Sequence, residues 1–250
     1  MLKIIKKIIK KILHLIRSLL SKIIINTIPL DLLSTKDNKK TSYEYFYNEE
    51  VKKSYEHFKD WYLQTVHLSG DDILHYAITH VEYEPKNLYL EFGVWEGRTI
   101  NLFSNHIQPN KIHGFDTFEG INEDWAGTDK PKGYYTANNN LPKVNDNCVL
   151  IKGLIQDTLP IFLKEKDNDE IAFVHMDINT YESSKFVLEL IKPRLKINAI
   201  ILLRGCHNHP GWSVGEYRAF QEIFNKDEYQ FLAFSKDGSP AVLRYISSKI

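Results

Sequence analysis

The sequence predicts a doubly wound α/β fold: a mostly parallel seven-stranded sheet with an antiparallel last strand, preceded by an amphipathic N-terminal helix. Three observations carry this. From residue 87 onward, short apolar runs alternate with stretches of helical periodicity, the pattern of a parallel sheet covered by helices on both faces. The last two runs are joined through a short Asp237-Gly238 connection, which reverses the chain and makes that pair antiparallel. The net charge of zero is uneven, because residues 1–30 hold seven basic residues and no acid.

Residues 1–30 read as one helix. Placed at about 100° per residue, the apolar side chains from Ile4 to Ile24 fill an arc of roughly 200°, with the lysines on the other side. No apolar run reaches the ~18 residues of a membrane span, and lysines interrupt any signal-peptide core. The pattern fits an interfacial helix on an anionic membrane, to which each basic residue adds about 1 kcal/mol; packing against the domain or a partner is the alternative. Residues 31–46 read as a polar linker, and residues 47–250 as the folded domain. Helices are expected at 47–66 and 71–81, the second capped by Asp71 or Asp72. Strands follow near 87–91, 111–116, 148–152, 171–176, 197–203, 229–234 and 241–246, and helices near 97–106, 157–166, 181–192 and 213–226. Asp157 is the expected cap of the 157–166 helix. Two long connections, 121–147 and 204–213, face the ligand crevice if they leave strand C-terminal ends.

Composition narrows the function. Two cysteines, Cys148 and Cys206, among 250 residues exclude a disulfide scaffold and a cysteine-rich zinc module and fit a reducing, cytoplasmic compartment, with the helix adding a peripheral membrane location. The domain beyond residue 30 is mildly acidic, which disfavours a nucleic-acid partner.

The first strand ends in Glu91-Phe92-Gly93-Val94-Trp95-Glu96-Gly97. Gly93 and Gly97 allow a tight turn and close ligand approach, before a helix N-terminus that faces a negative group. The three-glycine dinucleotide fingerprint is missing, which argues against a nicotinamide oxidoreductase. A carboxylate at the strand end, Glu91, suits an ammonium or sulfonium better than a pyrophosphate. Asp116 ends the second strand, 23 residues after Gly93, where an acid accepts hydrogen bonds from ribose hydroxyls. Phe118 is placed to lie against an adenine. The bland alternative is that both acids cap helices or pair with lysines.

These residues resemble the S-adenosylmethionine-dependent class I methyltransferases, with their Rossmann-like fold, and within them the macrocin O-methyltransferase-like family. The resemblance runs from about Leu88 to Ile246. It includes Leu90-Glu91-Phe92-Gly93-Val94-Trp95, Gly114-Phe115-Asp116-Thr117-Phe118-Glu119-Gly120, Gly153 with Asp157-Thr158-Leu159-Pro160, His175-Met176-Asp177, Tyr181-Glu182-Ser183, and Pro210-Gly211-Trp212 with Gly215-Glu216-Tyr217. It implies S-adenosylmethionine as cofactor, with Glu91, Phe92, Gly93, Gly97, Asp116, Thr117, Phe118 and Gly153 around it. It also implies methylation of a sugar or secondary-metabolite hydroxyl, aided by a divalent metal that lowers the hydroxyl pKa.

The family's metal comes from an acid ending the fourth strand and an acid pair ending the fifth, with a further acid as base. Asp177 matches the first. The base position is Asn179 and the acid pair is Arg204-Gly205, so Asp177 is the only retained ligand and a metal is doubtful. Magnesium needs oxygen ligands, and Arg204 would repel it by about 8 kcal/mol at 4 Å. Arg204 is therefore expected to pair with Asp177 where the metal would sit. His207 and His209 follow Arg204 and become candidate bases, the alternative being two loop histidines that shape the turn before Pro210. Cys206 reads as a packed residue. Trp125, Tyr134 and Tyr135 either cover an acceptor or pack the long loop down. The resulting expectation is an O-methyltransferase acting on a small acceptor, a sugar or a glycolipid. The alternative is a non-catalytic cofactor-binding or scaffold protein without the family's metal site.

Overall fold

In the computed structural model the described residues are 41–246. The expected helix of residues 1–30 and most of the linker lie outside them. The chain divides into two units, 1–44 and 45–250, and the account below concerns the second together with the helix that enters it.

That helix, α1, is Ser42–Tyr62, so it begins inside the expected linker and ends earlier than expected. Its start is a capping box: the Thr41 N–H donates to the Glu44 carboxylate at 2.6 Å, and the Glu44 N–H donates to the Thr41 hydroxyl at 3.2 Å. Strand β1 (Val66–Leu68) and helix α2 (Asp72–Thr79) follow. Asp71 holds the N-cap position of α2, but its carboxylate caps nothing; it takes both hydrogen bonds of Arg98 Nη1, at 2.9 and 2.8 Å.

The alternating part comprises β2 (Leu88–Phe92), α3 (Arg98–Ile107), β3 (Ile112–Asp116), β4 (Cys148–Lys152), α4 (Ile155–Glu165), β5 (Ile171–Met176), α5 (Tyr181–Ile191), β6 (Leu195–Leu203), α6 (Glu216–Ile223), β7 (Tyr229–Ser235) and β8 (Ala241–Tyr245). The sheet has eight strands, in the order β1-β7-β8-β6-β5-β2-β3-β4, not the seven expected. The additional one is β1, parallel to β7. β8 is antiparallel to both of its neighbours, β6 and β7, so the last strand is reversed as the Asp237-Gly238 connection indicated. Helix α4 starts at Ile155 with Leu154 at its cap, and Asp157 sits in the first turn instead of capping it.

Side-chain alternation assigns the two faces. Leu88, Leu90 and Phe92 of β2 join Ile201 and Leu203 of β6 in a core that includes α4, α5 and α6. Tyr89 joins Phe173, Ile200 and Leu202 against α2 and α3. Successive strand residues point to opposite faces, so the face of Tyr89 is also that of Glu91. Every residue of β2 and of β5 is buried, as befits central parallel strands.

Candidate functional site

The chain runs from β2 to β3 to β4 in one direction and then returns to the other side of β2 as β5. A crevice opens at such a switch point, beyond the strand C-terminal ends. Here it is a cavity of about 350 Å³ lined by Gly93, Asp116, Thr117, Asp177, Asn179 and Arg204 among others.

Backbone hydrogen bonds continue the sheet for one step past the strands. The Gly93 N–H donates to the Phe115 carbonyl at 2.9 Å, Asp177 N–H to the Phe92 carbonyl at 2.8 Å, Arg204 N–H to the Met176 carbonyl at 3.0 Å and Gly153 N–H to the Asp116 carbonyl at 3.0 Å. Gly93 is irreplaceable on steric grounds. Its φ is +89°, and a Cβ there would lie 2.2 Å from the Asp177 carbonyl oxygen.

Asp116 joins two loops. Its Oδ2 accepts the N–H groups of Val94 and Trp95, both at 2.7 Å, and its Oδ1 accepts that of Phe118 at 2.7 Å. A carboxylate has about four lone-pair sites, so one stays available on the side that lines the crevice.

Asp177 lies between a cation and an amide. Arg204 Nε is 3.4 Å from its Oδ2, and the Asn179 amide donates to its Oδ1 at 3.5 Å. The pairing expected from the sequence is present. Among the described residues no three His, Cys, Asp or Glu side chains gather as a metal site. The residues present do not fit a magnesium ion, which needs several oxygen ligands where a guanidinium stands.

Several expected contacts are not in the crevice. Glu91 is 0% exposed, lies beneath the floor, and accepts the Thr99 hydroxyl at 2.6 Å. Burial pushes its carboxyl up to about 8, so it does not meet a ligand ammonium as expected. Phe92 is buried and stacks on Phe115 at 5.1 Å. Phe118 is wholly buried among the α2 and α3 side chains, which overturns its placement against an adenine. Gly97 caps α3, its Cα facing Pro142 and Val144. Gly153 holds a tight turn against Thr158, at φ +145°. Their place in forming the crevice is indirect.

His207 and His209 are corrected most sharply. His207 is 2% exposed. Its Nε2 donates to the Pro240 carbonyl at 3.1 Å, so Nδ1 is the acceptor for the Tyr62 hydroxyl at 3.0 Å. Burial lowers its pKa to about 4. His209 packs on Trp125, with ring centroids 5.9 Å apart, accepts the Gly211 N–H at 3.2 Å, and is likewise lowered by burial. Neither lines the crevice. They secure the loop after β6. Cys206 is buried, its thiol raised by desolvation, a packed residue as expected.

Of the long-loop aromatics, Tyr135 reaches the crevice and Trp125 does not. Tyr135 meets Trp95 edge to face, with centroids 5.2 Å apart. Trp95 was not a predicted site residue; an exposed tryptophan between two glycines was its signal. Leu154, Ile155 and Gln156 also line the crevice and were missed, because the turn after β4 carries no charged group.

A family model described as a methyltransferase domain matches residues 90–204. No curated protein gives a significant match. Among solved structures, the calicheamicin methyltransferase CalS11 is similar at 25% identity and a TM-score of 0.56, over 69% of this chain and 76% of that one. Its apo structure, described as a TDP-rhamnose 3′-O-methyltransferase, is similar at 25% identity and a TM-score of 0.50 over the same shares. Family model and fold agree: residues 90–204 match a methyltransferase domain, and the fold is that of the class I methyltransferases.

Proposed function

We propose that the protein is an S-adenosylmethionine-dependent O-methyltransferase acting on a hydroxyl of a sugar or secondary metabolite, as the resemblance to the macrocin O-methyltransferase-like family implies. The observation that carries it is the placement of two carboxylates, Asp116 and Asp177, at strand ends around one crevice. The residues fit the cofactor. Asp116 keeps a lone pair for a ribose hydroxyl, and Leu154 and Ile155 offer an apolar wall for a base beside the Gln156 amide. When bound, the cofactor supplies an electrophilic methyl group on a sulfonium. Asp177 takes the proton of the acceptor hydroxyl, a general-base role suited to a carboxylate within hydrogen-bond reach. Asn179 and Arg204 hold that carboxylate in place. No step is assigned to a metal. The acceptor class is supported by the CalS11 likeness, that protein being described as a TDP-rhamnose 3′-O-methyltransferase.

A second reading, a scaffold that keeps the fold without the chemistry, is favoured by Arg204 standing in the metal position. Calorimetric titration of S-adenosylmethionine into the full chain, with and without magnesium, separates the two. Micromolar binding indifferent to magnesium is expected of the enzyme, and no binding in either condition of the scaffold.

We propose that residues 1–30 bind an anionic membrane surface, on the strength of their seven basic residues and the helical spacing of their apolar ones in the sequence. A chain lacking them should lose its binding to anionic liposomes, and unchanged binding would refute the assignment. Among the described residues no helix is long and apolar enough to cross a membrane.

A further inference from the structure

Arg204 is the cleft-lining arginine whose donors are still open. Arg98 also lines the cleft, but is committed to Asp71. Arg204 uses only Nε, on Asp177 at 3.4 Å. Its two terminal nitrogens have no hydrogen-bond partner among the described residues, and its side chain is 31% exposed. A guanidinium carries five N–H donors in a planar fork that matches a carboxylate or phosphate.

Its position in the sheet says which ligand it meets. In the order β6-β5-β2-β3, Asp116 ends β3 and Arg204 follows β6. Three strand spacings of about 4.8 Å separate them by roughly 14 Å. A nucleoside at Asp116 therefore leaves Arg204 at the far end, beyond the Gly93–Asp177 contact in the middle. Tyr135 lines the same cleft, its ring edge to face with that of Trp95, whose backbone N–H is held by Asp116.

The charges nearby leave Arg204 able to receive an anion. Glu91 and Glu216 are both buried, with carboxyls raised to about 8 by desolvation, so they are largely protonated at neutral pH. His175 is buried and neutral. Asp177 pairs with the guanidinium through Nε, which leaves the two terminal nitrogens for a ligand.

We propose that Arg204 recognises an oxyanion on the acceptor, so that the substrate is a ring compound bearing a carboxylate or phosphate near the hydroxyl to be methylated. The proposal rests on the O-methyltransferase reading of the cleft.

The test is calorimetry on the full chain saturated with S-adenosylhomocysteine, titrated with D-glucuronate, D-glucose 6-phosphate and D-glucose. At least one anion should bind about ten-fold or more tightly than glucose, and which one does so separates carboxylate from phosphate. The advantage should vanish in Arg204→Gln and persist in part in Arg204→Lys, which keeps the charge and guards against a folding artefact. Affinity for S-adenosylhomocysteine should be unchanged in both variants. Anions no tighter than glucose, or an advantage that survives Arg204→Gln, would overturn the proposal. So would a fall in S-adenosylhomocysteine affinity in both variants, which would place Arg204 on the cofactor's own carboxylate. Failure of the wild-type chain to bind S-adenosylhomocysteine would instead sink the underlying enzyme reading, and the proposal with it.

Discussion

Glu91 Oε2 and His175 Nδ1 stand 3.6 Å apart, on neighbouring strands, with both side chains 0% exposed. Neither atom has a hydrogen-bond partner. Burial disfavours the charged form of each, raising the acid to about 8 and lowering the imidazole to about 3. At neutral pH the pair is mostly an uncharged carboxylic acid beside an uncharged imidazole.

A pH profile follows from linkage. Glu91 and Glu216 have folded pKa values above their ordinary 4.5, at about 8. Their contribution is full below 4.5 and is lost as pH rises through about 8. His113, His175 and His207 have folded values below their ordinary 6.5, at about 4, 3 and 4. Their contribution is full above 6.5 and is lost as pH falls toward those values. Thermal unfolding should therefore show greatest stability between about pH 5 and 7. Glu91→Gln, which keeps an acceptor for Thr99, should flatten the alkaline side. A wild-type melting temperature that rises steadily to pH 9 would contradict this.

Gly93→Ala drives a Cβ onto the Asp177 carbonyl at 2.2 Å. That neighbour is backbone and cannot rotate away. The variant should lose about 1–3 kcal/mol or more of stability and bind S-adenosylmethionine at least ten-fold more weakly, since the floor of the cleft must move. Chemical denaturation and calorimetry would read the two effects separately.

His207→Ala should lower stability by about 1–3 kcal/mol, because the Tyr62 hydroxyl and Pro240 carbonyl lose their shared partner. S-adenosylmethionine affinity of the folded protein should stay within two-fold, about the calorimetric error. A large loss of affinity without loss of stability would return this histidine to the site.

The triple change Asn179→Asp, Arg204→Asp, Gly205→Glu should create magnesium affinity absent from the wild type. A Cβ at Gly205 meets only ordinary contacts, the nearest being Glu216 Cβ at 3.5 Å, so the third change starts without a backbone clash. Calorimetry that detects no magnesium binding would mean that these positions do not converge on one site.

The legibility of the fold followed the burial of its strands. β5 has the expected bounds because Ile171–Met176 is buried throughout and so reads as an almost unbroken apolar run. β1 escaped notice because Val66-His67-Leu68 is a three-residue edge strand, largely exposed, too short to show a period of two. In the site, Asp116 and Asp177 were legible as charges at strand ends. Glu91 was misread although its own strand held the answer: alternation with Leu90 and Phe92 turns it to the α3 face, away from the crevice. For His207 and His209 the sequence leaves base and loop-shaping roles both open, and the structure gives the second, because each ring makes contacts that hold the loop after β6. Phe118 looks exposed in sequence because it stands in a polar turn after Asp116, yet its ring is 0% exposed and belongs to the core on the α2 and α3 side.

The three N–H bonds to Asp116 also bear on kinetics. One side chain fixes the turn after β2 and the turn after β3 together, so both are preorganised before any ligand arrives. Their ordering entropy belongs to folding and not to association. Ligand capture at this end of the crevice should therefore not be slowed by the ordering of these two turns, and stopped-flow binding should show a rate that rises linearly with ligand concentration.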